Sequence, residues 1–328
     1  MEKLHPFTVK GAPRFMTPPL REALAEFERR VLTGQAAITV YGMPDTGKST
    51  MMNHLLVRMS ASKKAVVYHM VMASSSIDEK QLMRELLTSN SAKDSFPSLT
   101  PKEALVRSAM ANCDRLGVPR VFFLIDEAQM LTKAHFELLR GLLADLTAMG
   151  LAPFAGLFAQ PEILRKRWQL KDKGDASLIN RFLGRPYRFR GLRQSEYQEV
   201  LKLMDDTRHP EEGPTYTEFF APNFWGRGER LASWAEAFAR EFAALSRSFG
   251  RDPDDLPTSY LNEAVHTFYA GVADSTLSPA EMNQLVARAV TDSPAPAAFE
   301  FLAGLEESVQ SASAPAPPPP KSRRSRAA

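Results

Sequence analysis

The chain has almost nothing with which to staple or anchor a fold. It carries one cysteine, Cys113, in 328 residues, so no internal disulfide can form and a reducing compartment suits it. No apolar run approaches the ~20 residues a bilayer span needs, and the opening residues show no basic-then-apolar leader. The expectation is a soluble, cytoplasmic protein with no membrane partner. His54, His69, His135 and His266 are too scattered to form a metal centre of clustered imidazoles, and no internal repeat is visible. Net charge is only +3. That excess sits in the stretch Ser311–Ala328, which holds Lys321, Arg323, Arg324 and Arg326 and no acid. The rest of the chain is close to neutral, so any contact of the body with nucleic acid has to come from a local patch and not from a global field.

What is present is enough for a large core, with hydrophobic residues at 44%, sufficient for one large or two medium domains. The chain is organised around Ile38–Asn53. A β-branched run, Ile38-Thr39-Val40-Tyr41, stops at Gly42. Then Gly42-Met43-Pro44-Asp45-Thr46-Gly47-Lys48-Ser49 satisfies G-x-x-x-x-G-K-[ST] at every fixed position, and a helix follows with Met51, Met52, Leu55 and Leu56 on one face. Strand, glycine-bounded loop and helix are the context that gives the motif its chemistry. Gly42 and Gly47 let the backbone turn tightly and aim N–H groups at a polyphosphate, and the helix start adds its positive dipole end. The loop residues Pro44, Asp45, Thr46 and Thr50 are expected around the phosphates. Lys48 is expected on the β- and γ-phosphates, and Ser49 on Mg²⁺.

A second strand, Ala65–Val71, is continuously apolar, as in a parallel sheet buried on both faces. Ser74-Ser75-Ser76 is expected to cap a helix over 78–89, and Thr100-Pro101-Lys102-Glu103 to open another. Val121–Ile125 is a third strand and ends in Asp126-Glu127. A helix over 134–149, a fourth strand over 154–159, a helical piece over 178–183 and a fifth strand over 187–190 follow. Residues 1–18, with Pro6, Pro13, Pro18 and Pro19 as breakers, are read as irregular before a helix over 20–32. Strands alternating with helices imply a parallel sheet covered on both faces. From residue 194 onward only helices are expected. The organisation expected is thus 1–191 as an α/β nucleotide domain, 192–292 as a small helical lid domain, and 293–328 as a Pro/Ala-rich, basic, disordered tail.

Asp126 and Glu127 stand at the carboxyl edge of the sheet, where ligands bind in such folds. Asp126 is expected to hold Mg²⁺, with Ser49, and Glu127 to orient or deprotonate the attacking water. The motifs therefore point to an enzyme that binds and hydrolyses Mg-ATP. The aromatic stretch within 209–228, with Phe219, Phe220, Phe224 and Trp225 beside Arg227, either stacks on bases or packs onto its own domain; packing is the commoner fate of such residues. Cys113 and the pair Met51-Met52 read as core.

Gly42–Ser49, Phe122–Gln129 (FFLIDEAQ) and Phe158-Ala159-Gln160-Pro161-Glu162-Ile163 together resemble the AAA+ ATPases that assist DNA transposition, the TniB, TnsC and MuB kind, with ExeA-type ATPases as relatives. Ala159 and Ile163 stand where that group has glycine and leucine. Phe15-Met16-Thr17-Pro18 ahead of a helix is similar to it as well, and the likeness spans about residues 12–250. The resemblance implies a P-loop AAA+ three-layer sandwich with strand order 5-1-4-3-2. It implies Gln160 near the γ-phosphate, Arg181 reaching a neighbouring subunit's site, with Arg185 and Arg188 as competitors, and Arg230, or Arg227, as the lid arginine on the nucleotide. It also implies an ATPase that oligomerises as a ring or filament on double-stranded DNA and recruits or activates a transposase. The alternatives are a secretion-associated ATPase of the ExeA kind and a helicase loader or replication initiator. Phosphate contacts to DNA are expected from Lys63, Lys64, Ser74–Ser76 and Lys133.

Overall fold

The computed structural model describes residues 15–90, 98–208, 212–273 and 276–302. Five parallel strands form one sheet: β1 (Ala37–Tyr41), β2 (Val66–Val71), β3 (Arg120–Asp126), β4 (Ala152–Ala159) and β5 (Tyr187–Arg188), in the order β2-β3-β4-β1-β5. That is the expected order read from the other edge. Register aligns Tyr41 with Ala159, Ile125 with Leu157 and Val71 with Asp126, so the three central strands end in one row.

Period-two alternation sorts the sheet into two cores. Ile38, Val40, Phe122, Leu124, Phe154 and Phe158 point to the face covered by α1 (Pro18–Leu32) and α2 (Lys48–Ser62). Val121, Phe123, Ile125, Ala155 and Leu157 point to the face covered by α3 (Glu79–Thr88), α4 (Pro101–Leu116) and α5 (Lys133–Ala148). Every residue of β3 after Arg120 is buried, as a continuous apolar run in a central parallel strand requires.

Local signals set most helix ends. Thr100 and Glu103 form the expected capping box. Three ends differ from expectation. Pro18 and Pro19 do not break the chain but open α1 behind the N-cap Thr17, because the first turn has no partner for the missing N–H groups. Asp78 caps α3 through Gln81 N at 2.7 Å, while Ser74 bonds within its own turn to Ser76. β5 stops at Arg188 instead of 190. Between β4 and β5 lies α6 (Ile163–Asp172), for which the sequence pattern gave no sign, then a short turn α7 (Ala176–Leu178) running into a π-helical segment, Ile179–Leu183.

The lid consists of α8 (Tyr197–Asp206), α9 (Tyr216–Phe220), α10 (Pro222–Gly226), α11 (Ala235–Ser248), α12 (Thr258–Val272) and α13 (Pro279–Thr291). It has its own core around Leu201, Phe224, Phe238, Leu261 and Phe268. The aromatic stretch belongs to that core: Tyr216 and Phe220 lie on Tyr269 and His266, and Phe224 meets Phe268 edge to face. Helical structure continues over 295–302, where Ala295 and Phe299 are buried in the same cluster. Ordered structure thus passes the boundary expected at 293; the remainder of the expected tail, 303–328, lies outside the described residues, as do residues 1–14.

Several contacts hold the joint between the two parts, Arg21 on Glu199 and Arg188 on Asp255 among them, and the most buried is an arginine cluster. Arg190, 13% exposed, bonds Glu22 of α1 and Glu196 ahead of α8, both at 2.6 Å. An isolated bridge, Leu192 to Leu256, continues β5 into the lid. No helix among the described residues is long and apolar enough to cross a membrane.

Inside the lid, the buried carboxylate of Asp205 is a hub. It accepts from Thr217 Oγ1 at 2.6 Å, Leu231 N at 3.1 Å and Ala232 N at 2.9 Å, and Thr217 in turn meets Tyr269 at 2.8 Å. Burial pushes its pKa above the usual carboxylate value, and the three hydrogen bonds pull against that rise. Replacement by alanine strands the buried N–H of Leu231 and the half-buried N–H of Ala232. Asp205→Ala is expected to lower stability by about 2–4 kcal/mol, and Asp205→Asn by less because one carbonyl acceptor remains. Urea midpoints of the two variants check the order; an unchanged Asp205→Ala midpoint would remove the hub from the account.

Candidate ATP site

The site is built on the row of strand ends. Gly42 follows β1 and donates its N–H to Ala159 O at 3.2 Å. A side chain at this position would put its Cβ 2.4 Å from Phe189 O, so only glycine lets β5 close against the loop. At the far end of the loop Gly47 has φ +113°, and Asp45 also has positive φ, at +62°. The backbone is thereby wrapped around Lys48, whose side chain is 8% exposed. Lys48 Nζ donates to Gly42 O at 2.9 Å and Met43 O at 2.7 Å. An ammonium has three donors, so one remains for a phosphate oxygen. Burial lowers the Lys48 pKa, and Asp126, Glu127 and Asp45 act in the opposite direction.

Ser49 Oγ donates to Asp126 Oδ2 at 2.7 Å. This contact joins the helix start to the end of β3 and sets two oxygen ligands side by side. Mg²⁺ favours such a pair with phosphate oxygens and water completing its shell, so the residues fit the ion. No group of three or more His, Cys, Asp or Glu among the described residues makes an all-protein metal cage.

Glu127 adopts φ +54°, an uncommon conformation for a residue with a side chain. Its N–H donates to Asp126 Oδ1 at 2.9 Å. Its carboxylate accepts from the amides of Gln129 and, at 3.3 Å, Gln160. The backbone N–H of Gln160 donates to Gln129 Oε1 at 2.9 Å, closing a ring of three residues. Gln160 stands at the end of β4, between β1 and β3, which is where a side chain has to lie to touch both the loop and the acid pair. Gln129 was not singled out from sequence; the only sign of it was its place in Asp126-Glu127-Ala128-Gln129.

The lid reaches the loop through α12. Ser259 N donates to Asp45 O at 3.4 Å. A cavity of about 80 Å³ lies between them, lined by Thr17, Asp45, Thr50 and Asn262 among others. Thr258 Oγ1, Ser259 Oγ and Asn262 Oδ1 are buried without hydrogen-bond partners. A wider cavity of about 590 Å³ flanks Met43 and Pro44, with Tyr260 and Phe299 on its lid side.

Of the expected arginines, Arg230 stands away from the loop and Arg181 stands away from its own subunit's phosphates. Arg230 stacks on Trp225, 3.6 Å from the ring centroid, and its NH1 donates to Glu229 O at 2.7 Å. It belongs to the lid's own packing, and the first turn of α12 takes the position beside the loop. Arg181 lies at the amino edge of the sheet, where its NH1 donates to Arg140 O at 3.4 Å. It lines a cavity with Ala36 and Ala37, at the opposite end of β1 from Gly42, so it cannot serve its own subunit's phosphates. Among its competitors, Arg188 is ion-paired with Asp255. The residues expected on DNA are divided: Lys63 and Lys64 precede β2 and Ser74–Ser76 follow it, while Lys133 is paired with Asp175 at 2.9 Å.

Residues 29–166 match the AAA domain family. Among solved structures, the Walker-type ATPase of Pyrococcus abyssi aligns over 95% of this chain and 79% of its own, at 15% identity and a TM-score of 0.53. The Drosophila ORC bound to DNA aligns over 84% and 68%, at 16% identity and a TM-score of 0.54. At such identities the likeness concerns the fold. No curated protein matches the chain. With the loop, the acid pair and the sheet order already described, the chain is an ATPase of the P-loop AAA+ fold.

Two measurements test the geometry. Lys48→Ala is expected to weaken ATP binding at least tenfold, read by calorimetry on folded protein, because a desolvated charge is lost from the loop. Gln129→Ala should lower kcat about tenfold or more while leaving the ATP dissociation constant within about twofold, since the glutamine orients Glu127 and touches no phosphate. A Gln129→Ala enzyme with full kcat would leave the amide ring without a role.

Proposed function

We propose that this chain is a Mg-ATP-dependent motor that oligomerises on double-stranded DNA and recruits or activates a transposase. One observation carries the reading. The two stretches on which the resemblance to transposition ATPases rests, Asp126–Gln129 and Gln160–Glu162, meet at a single carboxylate, that of Glu127. The resemblance therefore involves residues that work as a unit.

In this reading the triphosphate lies along Gly42–Thr50. The ion, when bound by Ser49 and Asp126, supplies charge neutralisation on the β- and γ-oxygens. Lys48 gives its third N–H to a phosphate oxygen. Glu127, held by two amides, takes a proton from the water that attacks the γ-phosphorus. The bond to the β,γ-bridging oxygen breaks, and ADP and phosphate leave. Gln160, between the loop and Glu127, is placed to sense whether the γ-phosphate is present. Arg181 serves a neighbour's site, since its own is a strand's length away. Thr258, Ser259 and Asn262 are the lid groups that meet the bound nucleotide, the part first expected of Arg230.

The DNA part of the reading draws on the resemblance, and on the same fold in Drosophila ORC, which is bound to DNA. A replication initiator or helicase loader shares the ATPase and the DNA contact and differs in the protein recruited. A membrane partner is not part of the reading, and the buried free thiol of Cys113 suits the cytoplasm.

Assembly is tested by DNA co-sedimentation with ATP, ADP and no nucleotide, followed by negative-stain imaging. Cooperative binding with ATP, steep loss with salt and release by ADP are expected. Nucleotide-independent binding by a monomer would overturn the assembly. The trans contact has its own test. Arg181→Ala should keep ATP affinity yet lose turnover, and mixing it with Glu127→Gln protein should restore some composite sites; absence of recovery at every ratio counts against it.

A further inference from the structure

At the amino edge of the sheet, where α1 ends and β1 begins, a cavity of about 460 Å³ is walled by Arg30, Gln35, Asn180, Arg181 and Arg185. No acidic residue lines it. Arg30 is 8% exposed; its Nε bonds Glu26 at 2.7 Å and its NH1 bonds Gln35 at 3.2 Å. Arg181 and Arg185 have no ion-pair partner among the described residues. Three arginines therefore line one space, and a carboxylate pairs with only one of them, Arg181 bonding the carbonyl of Arg140. Like charges gathered in a recess repel more strongly than on open surface, because less water screens them. A multivalent anion removes that repulsion.

The donors also have the right form. Guanidinium forks pair with tetrahedral oxyanions in two-point contacts that an ammonium does not make. The amide of Asn180 adds a donor without adding charge, while that of Gln35 holds Arg30 and bonds Thr33. The volume lies within the range of about 300–1,000 Å³ usual for ligand pockets. The nucleotide loop is at the other end of β1, about 17 Å away along a five-residue strand. We propose that this cavity is a second anion site, separate from the ATP loop, that takes a phosphate group. The phosphate is either free in solution or part of a nucleic-acid backbone; the chemistry that holds it is the same. All of the lining residues come from one subunit, so the free protein carries the site; in the proposed assembly Arg181 is shared with the neighbour's ATP site.

The experiment uses the full chain carrying Lys48→Ala, which disables the lysine contact at the ATP loop, titrated with pyrophosphate by calorimetry and by NMR of the arginine Nε–H groups. Binding is expected, with shifted arginine signals. Adding Arg185→Gln should weaken it about tenfold or more, and Arg185→Lys should recover part of the loss. Arg185 is exposed, so these changes leave the core intact, and circular dichroism verifies it. Equal affinity with and without Arg185→Gln, or no pyrophosphate binding in the Lys48→Ala chain, would overturn the proposal. A short DNA duplex added last separates the sources: displacement of pyrophosphate assigns the site to backbone phosphates, and simultaneous binding assigns it to free phosphate.

Discussion

A buried cation governs the nucleotide edge of this molecule. Lys48 is almost closed off from water, and an ammonium in that position is costly unless dipoles and anions surround it. Its own loop supplies the dipoles through Gly42 O and Met43 O; the acid pair on β3 supplies the nearest negative charge. The loop needs the lysine as much as the lysine needs the loop. Without it, two inward carbonyls lose their donor, and the turn between Gly42 and Gly47 has nothing at its centre. Strand order follows from the same demand, since β3 and β1 must end within reach of one another with β4 between them.

β4 is more than a spacer. Its last residue, Ala159, receives the Gly42 N–H, and the next residue, Gln160, touches both Gln129 and Glu127. A one-residue slip of β4 would break the anchor of the loop and the ring around Glu127 together, because alternation sends every side chain to the other face. The strained backbone of Glu127 fits this arrangement. Positive φ is paid for where surrounding bonds over-determine a conformation, and here three hydrogen bonds converge on one residue.

Much of this edge was legible in the sequence because its signals are local. Gly42–Ser49 is one contiguous stretch, and the strands are short apolar runs with punctuation at each end. Sheet order came from the family resemblance, not from the pattern of residues. The parts that escaped depend on tertiary neighbours. Only Ile163 and Leu170 of α6 are buried, so its charged sequence has no readable face. Pro18 and Pro19 read as breakers until they are seen at the first two helical positions, where no N–H is needed. Arg230 looked like a lid arginine because a helix starts beside it, yet which lid helix meets the loop is decided by the fold, and the contact falls to Ser259. Gln129 acquires meaning only when Gln160, far along the chain, is brought beside it.

The hub at Asp205 has a mechanical consequence. It ties α8, the start of α9 and the segment before α11 through one carboxylate, which leaves the lid no soft seam of its own around that point. Its attachment has several points: Arg190 with its two carboxylates, Arg21 on Glu199, Arg188 on Asp255, the Leu192–Leu256 bridge and Phe15 packed on Tyr216. With Ser259 N on Asp45 O as a further contact, the loop and the helical part are tied to one another along a whole seam. A rearrangement at the loop therefore meets the helical part as one body and not as separate helices.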